Sequence, residues 1–295
     1  MYGELFGLTT AWSWAISAIY TKQATSRLNP LRVLTAYLWI YTLLTLFVAF
    51  FMGRLGGIFR LPFDTVAYFT SGSVLGFGGD WTLFKAFSLG GGVGYTITTA
   101  TSVFIFTTAV IGLIFLNESI SVLQISGGLM IIIGIFIANV KLSIRSFSSA
   151  KISDLSVKQS AFIFASITGL LWALGLVLWN QGLAETDPIT GAAISNLIPS
   201  GVFILICIFN SKIRPFPVEP LYFWKLFMGG SLYGLGLLTS VLALKASGVG
   251  LTAILMSSTP IFSIPLGIWF LKEQYTKQGM AGLVICILGI IVVVI

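Results

Sequence analysis

Residues 112–128 read GLIFLNESISVLQISGG, and residues 267–283 read GIWFLKEQYTKQGMAGL. Laid one over the other, the two phrases put Glu118 on Glu273 and Gly127 on Gly282. Further along, Gly134 falls on Gly289, and all three pairs are 155 positions apart. A carboxylate set twice between the same kinds of apolar run indicates one design used twice. Working back along the chain, Trp14 in AWSWAIS matches Trp172 in GLLWALG, and Pro30 matches Pro188. Gly72-Ser73-x-x-Gly76-x-Gly78 recurs as Gly230-Ser231-x-x-Gly234-x-Gly236, and these three matches share an offset of 158. Two constant offsets over five successive apolar segments mark an internal duplication. The slip of three residues falls near the turns GGGVG and GVG.

Composition says what is duplicated. The 295 residues are 57% hydrophobic and 8% charged, whereas soluble domains carry roughly 25% charged residues. Residues 5–21, 33–53, 119–140, 159–184, 188–211, 226–244, 246–271 and 278–295 hold no charge, and the interval 65–116 holds only Asp80 and Lys85, divided by the glycines at 90–92. About 20 apolar residues cross the hydrocarbon layer as a helix, since lipid offers backbone N–H and C=O groups no other partner. The expectation is an all-α integral membrane protein of ten transmembrane helices, in two inverted five-helix repeats. These cover residues 1–142 and 158–295, with a polar linker at 143–157. Five is odd, so the second copy enters from the opposite side, an arrangement associated with alternating access.

Other classes recede. There is no histidine, and no HExxH, GxSxG or Walker sequence, so neither an enzyme nor an ATPase is expected, nor a metal or other cofactor. Cys207 and Cys286 lie within apolar spans and read as buried free thiols. The net charge of +7 comes from lysines and arginines between spans and does not imply nucleic acid. If spans alternate, thirteen of the sixteen basic residues share one side; only Arg54, Arg60 and Lys245 lie on the other, with both termini. The positive-inside rule then places both termini outside the cytoplasm. No basic n-region or small-residue cleavage site opens the chain, so the first span is read as the targeting element of a multi-pass protein of the plasma or inner membrane.

The phrase Glu118-x-x-Ser121-x-x-Gln124-x-x-Gly127, repeated as Glu273-x-x-Thr276 with Gln278-Gly279 and Gly282, resembles the EamA-type signature of the drug/metabolite transporter superfamily, over the whole chain. Ala243-Leu244 and Pro260-Ile261-Phe262 resemble that pattern too. The resemblance implies a basket of helices around a central substrate cavity, with the fifth and tenth helices packed outside it, in a carrier of metabolites or small polar solutes. Two departures stand out. The first copy lacks a counterpart of Pro260, and Thr35-Ala36-Tyr37 occupies the stretch where many members carry an arginine.

Among single residues, Glu118 and Glu273 sit at helix ends and read as carboxylates capping the next helix. Asp80, in GFGGDWTLFKAF, is the sharper case, because its repeat partner is Leu238. A carboxylate at membrane depth must face a wet cavity, pair with a cation or carry a proton. Lys85, five residues on, lies about 140° round a helix and pairs poorly with it. Asp80 is therefore either a cavity ligand for a cation or coupling proton, or a satisfied structural acid. Lys85 and Lys245 read as snorkelling side chains. Trp14 and Trp172 are mid-span indoles that need an N–H partner, from a cavity wall or from packing. Candidate cavity groups beside them are Tyr20 on the first helix and Trp179, Asn180 and Gln181 on the sixth. Asn196, Tyr233, Thr101-Ser102 and Ser257-Ser258 extend that set to four more helices. Pro260 and Pro265 are expected to loosen the ninth helix.

The reading is a secondary transporter, with export as its direction, for small organic metabolites such as amino acids or amphipathic compounds. The alternatives are uptake of a sugar-like solute and flipping of a lipid-linked carrier. Its expected partners are the substrate, the bilayer and a proton as coupling ion, in a monomer or homodimer.

Overall fold

The computed structural model describes residues 2–115, 121–144, 152–216 and 218–294. The described residues form ten α-helices: α1 (Tyr2–Thr25), α2 (Pro30–Phe51), α3 (Phe63–Ser88), α4 (Val93–Phe115), α5 (Val122–Ile144), α6 (Ile152–Leu183), α7 (Pro188–Phe209), α8 (Pro220–Met256), α9 (Thr259–Leu271) and α10 (Lys277–Val294). There is no strand among the described residues. Helices α5 and α6 extend into the polar stretch 143–157 from either side.

Equivalent places in the two halves start and stop helices by the same chemistry. Asn29 and Asp187, 158 apart, are the N-caps of α2 and α7. Asn29 accepts from Leu31 N–H at 2.9 Å, and Asp187 accepts from Ile189 and Thr190 N–H at 3.1 and 3.0 Å. Pro30 and Pro188 follow in the first turn, where no N–H is needed. Gly90 ends α3 at φ 90°, and its equivalent Gly248 turns α8 at φ 74°, a left-handed conformation open to glycine without a Cβ clash. Beyond that turn the halves differ. In the ninth span the helix breaks at Ser257 and Ser258, just ahead of Pro260, while α4 runs unbroken through Ile105, which stands in the proline's place.

Among the described residues, five helical runs are long and apolar enough to cross a bilayer by length and composition alone: Pro30–Phe51, Val93–Ile114, Gln159–Leu183, Pro188–Phe209 and Pro220–Leu271, the last taking in both α8 and α9. With 24 and 26 residues, α1 and α3 are long enough too; each has charged or hydroxyl side chains buried inside the bundle. Outward faces are greasy. Leu43, Phe47, Phe50 and Phe51 on α2, and Leu205, Ile208 and Phe209 on α7, stand exposed, Phe209 by 88%. Water would not tolerate such a belt, and lipid chains do.

Helix pairing defines a two-fold. Helix α1 packs on α8 as α6 packs on α3, α1 meets α9 as α6 meets α4, and α2 meets α8 as α7 meets α3. Three further pairs, α2 with α7, α4 with α9 and α5 with α10, each join equivalent helices. Along these, equivalent residues touch one another. Thr42 Oγ1 and Ser200 Oγ, 158 apart, share a 2.6 Å hydrogen bond. Cys286 Sγ donates to Ile131 O at 3.4 Å, 155 apart, and Gly134 lies against Cys286 as Gly289 lies against Ile131. This pairing is the one expected of two like five-helix halves exchanged by a two-fold axis.

One register differs from the sequence alignment. Trp14 abuts Gly236 and Trp172 abuts Gly79, while Thr10 bonds Thr239 and Thr168 bonds Thr82, both at 2.8 Å. Between α3 and α8 these contacts are related by an offset of 157, not the 158 of the glycine motif. The contact register is set by where a missing Cβ admits an indole edge. In this contact register the spatial counterpart of Asp80 is Leu237.

Candidate functional site

Halfway along the helices, between the two halves, lies a cavity of about 930 Å³ including its mouth. Its wall follows helical periodicity: Trp14, Ser17, Ala18 and Thr21 on α1; Trp172, Gly175, Leu176 and Trp179 on α6; Ile97, Thr101 and Phe104 on α4. Each set falls at i, i+3 or i+4 and i+7, one face of a helix. Helix α3 contributes the face from Gly72 to Phe84, with Asp80 at its centre, and α2, α7, α8 and α9 add Tyr41, Asn196, Tyr233 and Thr259.

Asp80 is 3% exposed, and its Oδ1 accepts from Trp172 Nε1 at 2.9 Å and from Tyr233 Oη at 2.5 Å. Both donors come from the other half of the chain. In the symmetric position Trp14 Nε1 donates instead to the backbone oxygen of Tyr233, at 3.3 Å. Asp80 thus takes an indole N–H whose equivalent goes to main chain, and the duplicated scaffold becomes chemically asymmetric at this point. The rings close up around it. Tyr233 stacks on Trp14 at 5.8 Å between centroids, Trp14 lies 5.9 Å from Trp172, and Tyr41 lies 5.6 Å from Tyr233.

Seven of the thirteen expected cavity residues line it: Trp14, Asp80, Thr101, Trp172, Trp179, Asn196 and Tyr233. The other six do not. Asn180 and Gln181 follow Trp179 round the helix away from the cavity, and Gln181 is exposed. Tyr20 packs against Gly229. Ser102 and Ser258 spend their hydroxyls on Thr98 O and Leu255 O of their own turns, at 2.7 and 2.6 Å, and Ser257 faces Thr101 O at 3.5 Å. Sequence reasoning missed Ser17, Thr21 and Tyr41, as well as Ser73, which accepts from Trp179 Nε1 at 3.2 Å. The signal for the first two was spacing, at three and seven residues from Trp14. Ser73 was hidden within a motif read as packing.

The repeated glutamate corrects its own expectation. Glu273 does not cap α10, which follows it; Thr276 Oγ1 does that by accepting from Gly279 N–H at 3.0 Å. Glu273 instead reaches into the other half and caps α4, accepting from Val93 N–H at 2.6 Å through Oε1 and from Gly94 N–H at 3.4 Å through Oε2, which also accepts from Tyr275 Oη at 2.6 Å. Gly92 and Gly94 leave room for this close approach. Beside it, Lys22 Nζ donates to the carbonyls of Phe87 and Gly91, both at 2.8 Å. The basic end of α1 and the turn after α9 are thereby fastened to the turn between α3 and α4. Glu118 lies outside the described residues. Lys245 Nζ donates to Leu183 O at 2.5 Å, the terminal carbonyl of α6, so it serves as a helix C-cap and does not snorkel. Among the described residues no three of Cys, Asp and Glu gather as metal ligands would.

Among the described residues, ten helices in two like halves around a shared cavity define a multi-pass membrane protein. The sequence pattern of the EamA-like transporter family matches residues 1–140 and again 159–295, and the chain belongs to that family. An uncharacterized transporter of Archaeoglobus fulgidus is 24% identical over 132 residues, 45% of this chain and 46% of that protein. One from Synechocystis sp. is 31% identical over 122 residues, 41% of this chain and 36% of that protein. The chain thus spans less than half the length of these two relatives. A solved crystal structure superposes with a TM-score of 0.72 at 16% identity, covering 98% of this chain and 95% of that one, and this likeness concerns the fold.

Proposed function

We propose that the protein is a secondary transporter of the cell membrane that exports small organic metabolites by alternating access between the halves 1–142 and 158–295. The observation carrying this reading is the cavity itself, walled by equivalent helices of the two halves. In such an arrangement, rocking one half against the other exposes the same site to either face. Glu273 and Lys22 fasten the end rich in lysine and arginine, and an outward–inward cycle has to release those bonds. Among metabolites, the aromatic walls favour amphipathic compounds over sugars. A proton carried by Asp80 is the candidate coupling ion.

The test is transport by purified protein in proteoliposomes. Uptake of a labelled amphipathic metabolite, saturable and raised by an imposed pH gradient, is expected. Flux no greater than in protein-free vesicles, across amines, amino acids and aromatic acids, sinks the proposal.

A further inference from the structure

The chemistry of the cavity wall narrows the ligand class. No lysine or arginine is among the described residues that line it, and Asp80 is its one ionisable carboxylate. The acid is half satisfied. Oδ1 takes both hydrogen bonds, from Trp172 and Tyr233, while Oδ2 takes none from a described residue and is not sealed in protein. A second acceptor, closed off within the protein, stands behind the same wall. Asn196 is fully buried, its Nδ2 donates to Ala192 O at 3.2 Å, and its Oδ1 is bonded to no described residue. The described lining thus offers a carboxylate oxygen and hydroxyls, among them the Tyr41 Oη bonded to no described residue, but no positive charge.

Desolvating a lone carboxylate is expensive unless an opposite charge joins it. The rings of Trp14, Trp172, Tyr233 and Tyr41 line the same cavity, and an aromatic wall suits a cation with an apolar body, through cation–π attraction and area burial. We infer that the cavity binds a monovalent organic cation, an ammonium group joined to an aromatic or apolar body, with its charge on Asp80 Oδ2. This deepens the transport reading and rests on it. It also separates amines from amino acids within the proposed substrates, because the carboxylate of a zwitterion would meet no cation in the described lining.

The experiment holds one aromatic body constant and varies charge, using phenethylamine, 2-phenylethanol, phenylalanine and 3-phenylpropionate. Binding to purified full-length protein is read by tryptophan fluorescence and by ligand-induced shift of the melting transition. Phenethylamine is expected to bind at least tenfold more tightly than the other three. Asp80→Asn, which keeps an acceptor for Trp172 and Tyr233, should abolish that preference, and Asp80→Glu should retain it. A preference for the zwitterion or the anion, binding of none of the four, or a cation preference that survives in Asp80→Asn overturns the inference. The charge series on the unaltered protein decides the matter even where a variant fails to fold. Selective binding without uptake in proteoliposomes would count against the transport reading and leave the cation site standing.

Discussion

Tyr233 carries more of the site than its single hydroxyl suggests. Its Oη donates to the buried Asp80, its ring stacks on Trp14, and its carbonyl accepts the Trp14 N–H. Replacing it with phenylalanine keeps the ring and the carbonyl and removes one charge-assisted bond. Neutral interhelical bonds in a bilayer contribute about 0.6 kcal/mol, and bonds to a charged group about 1.5–3 kcal/mol. Tyr233→Phe is therefore expected to lower stability in detergent by about 1.5–3 kcal/mol. Thr10→Val, which loses the neutral bond to Thr239, should lower it by about 0.6 kcal/mol. Equal losses in the two unfolding curves would show that Asp80 is protonated or solvated rather than held as a charge. At this scale the sequence was legible wherever chemistry was rare. A lone acid and two mid-span indoles announced themselves, whereas Ser17 and Thr21 resemble any hydroxyl until their helical phase relative to Trp14 is used.

At the scale of the helix, capping decides two outcomes. Burial pushes the Asp187 carboxyl up, but the Thr190 hydroxyl and amide, the nearby Arg54 and the Ile189 amide outweigh it and hold it below the usual range. A depressed acid contributes stability above its unfolded pKa and loses it as pH falls through the lower folded value. Asp187→Ala should thus cost about 1 kcal/mol at neutral pH. Its melting curve should converge on that of the unaltered protein as the medium is made acidic, and a gap independent of pH would refute the cap. Glu273 acts between helices. Glu273→Ala removes the cap of α4 and the partner of Tyr275, at about 1–2 kcal/mol. If that tie helps close the basic end, a cysteine at Thr21 should alkylate several-fold faster in this background. Cys207 and Cys286 are buried and contribute little background labelling, so an unchanged rate would show the tie to be structural only. The sequence displayed the glutamate plainly and concealed its target, because a cap that crosses between repeats has no local signature.

Over the whole molecule, duplication carries the argument. Offsets read from glycines and tryptophans foretold which helices are equivalent, and Thr42 bonded to Ser200, with Cys286 against Ile131, shows those equivalences meeting across a two-fold. What could not be read was the one-residue shift between α3 and α8, since motif glycines mark sequence positions while indole contacts set the register. The duplication also frames the orientation. Halves of opposite direction share no common polarity, so the sign is set by where basic residues accumulated. If spans alternate, thirteen basic residues of the sequence fall to one side and three to the other, and from that bias the positive-inside rule predicts the turn between α7 and α8 in the cytoplasm and the turn between α2 and α3 outside. Ser211 and Gly56 are exposed on those two turns, and a Cβ added at Gly56 meets nothing within 4 Å, so cysteine fits at either position. An impermeant maleimide should modify Gly56→Cys in intact cells and reach Ser211→Cys only after permeabilisation. The reverse pattern would set the charge rule aside and place the Glu273 and Lys22 tie on the outer face, where it would hold the cavity shut against the surroundings instead of against the cell interior.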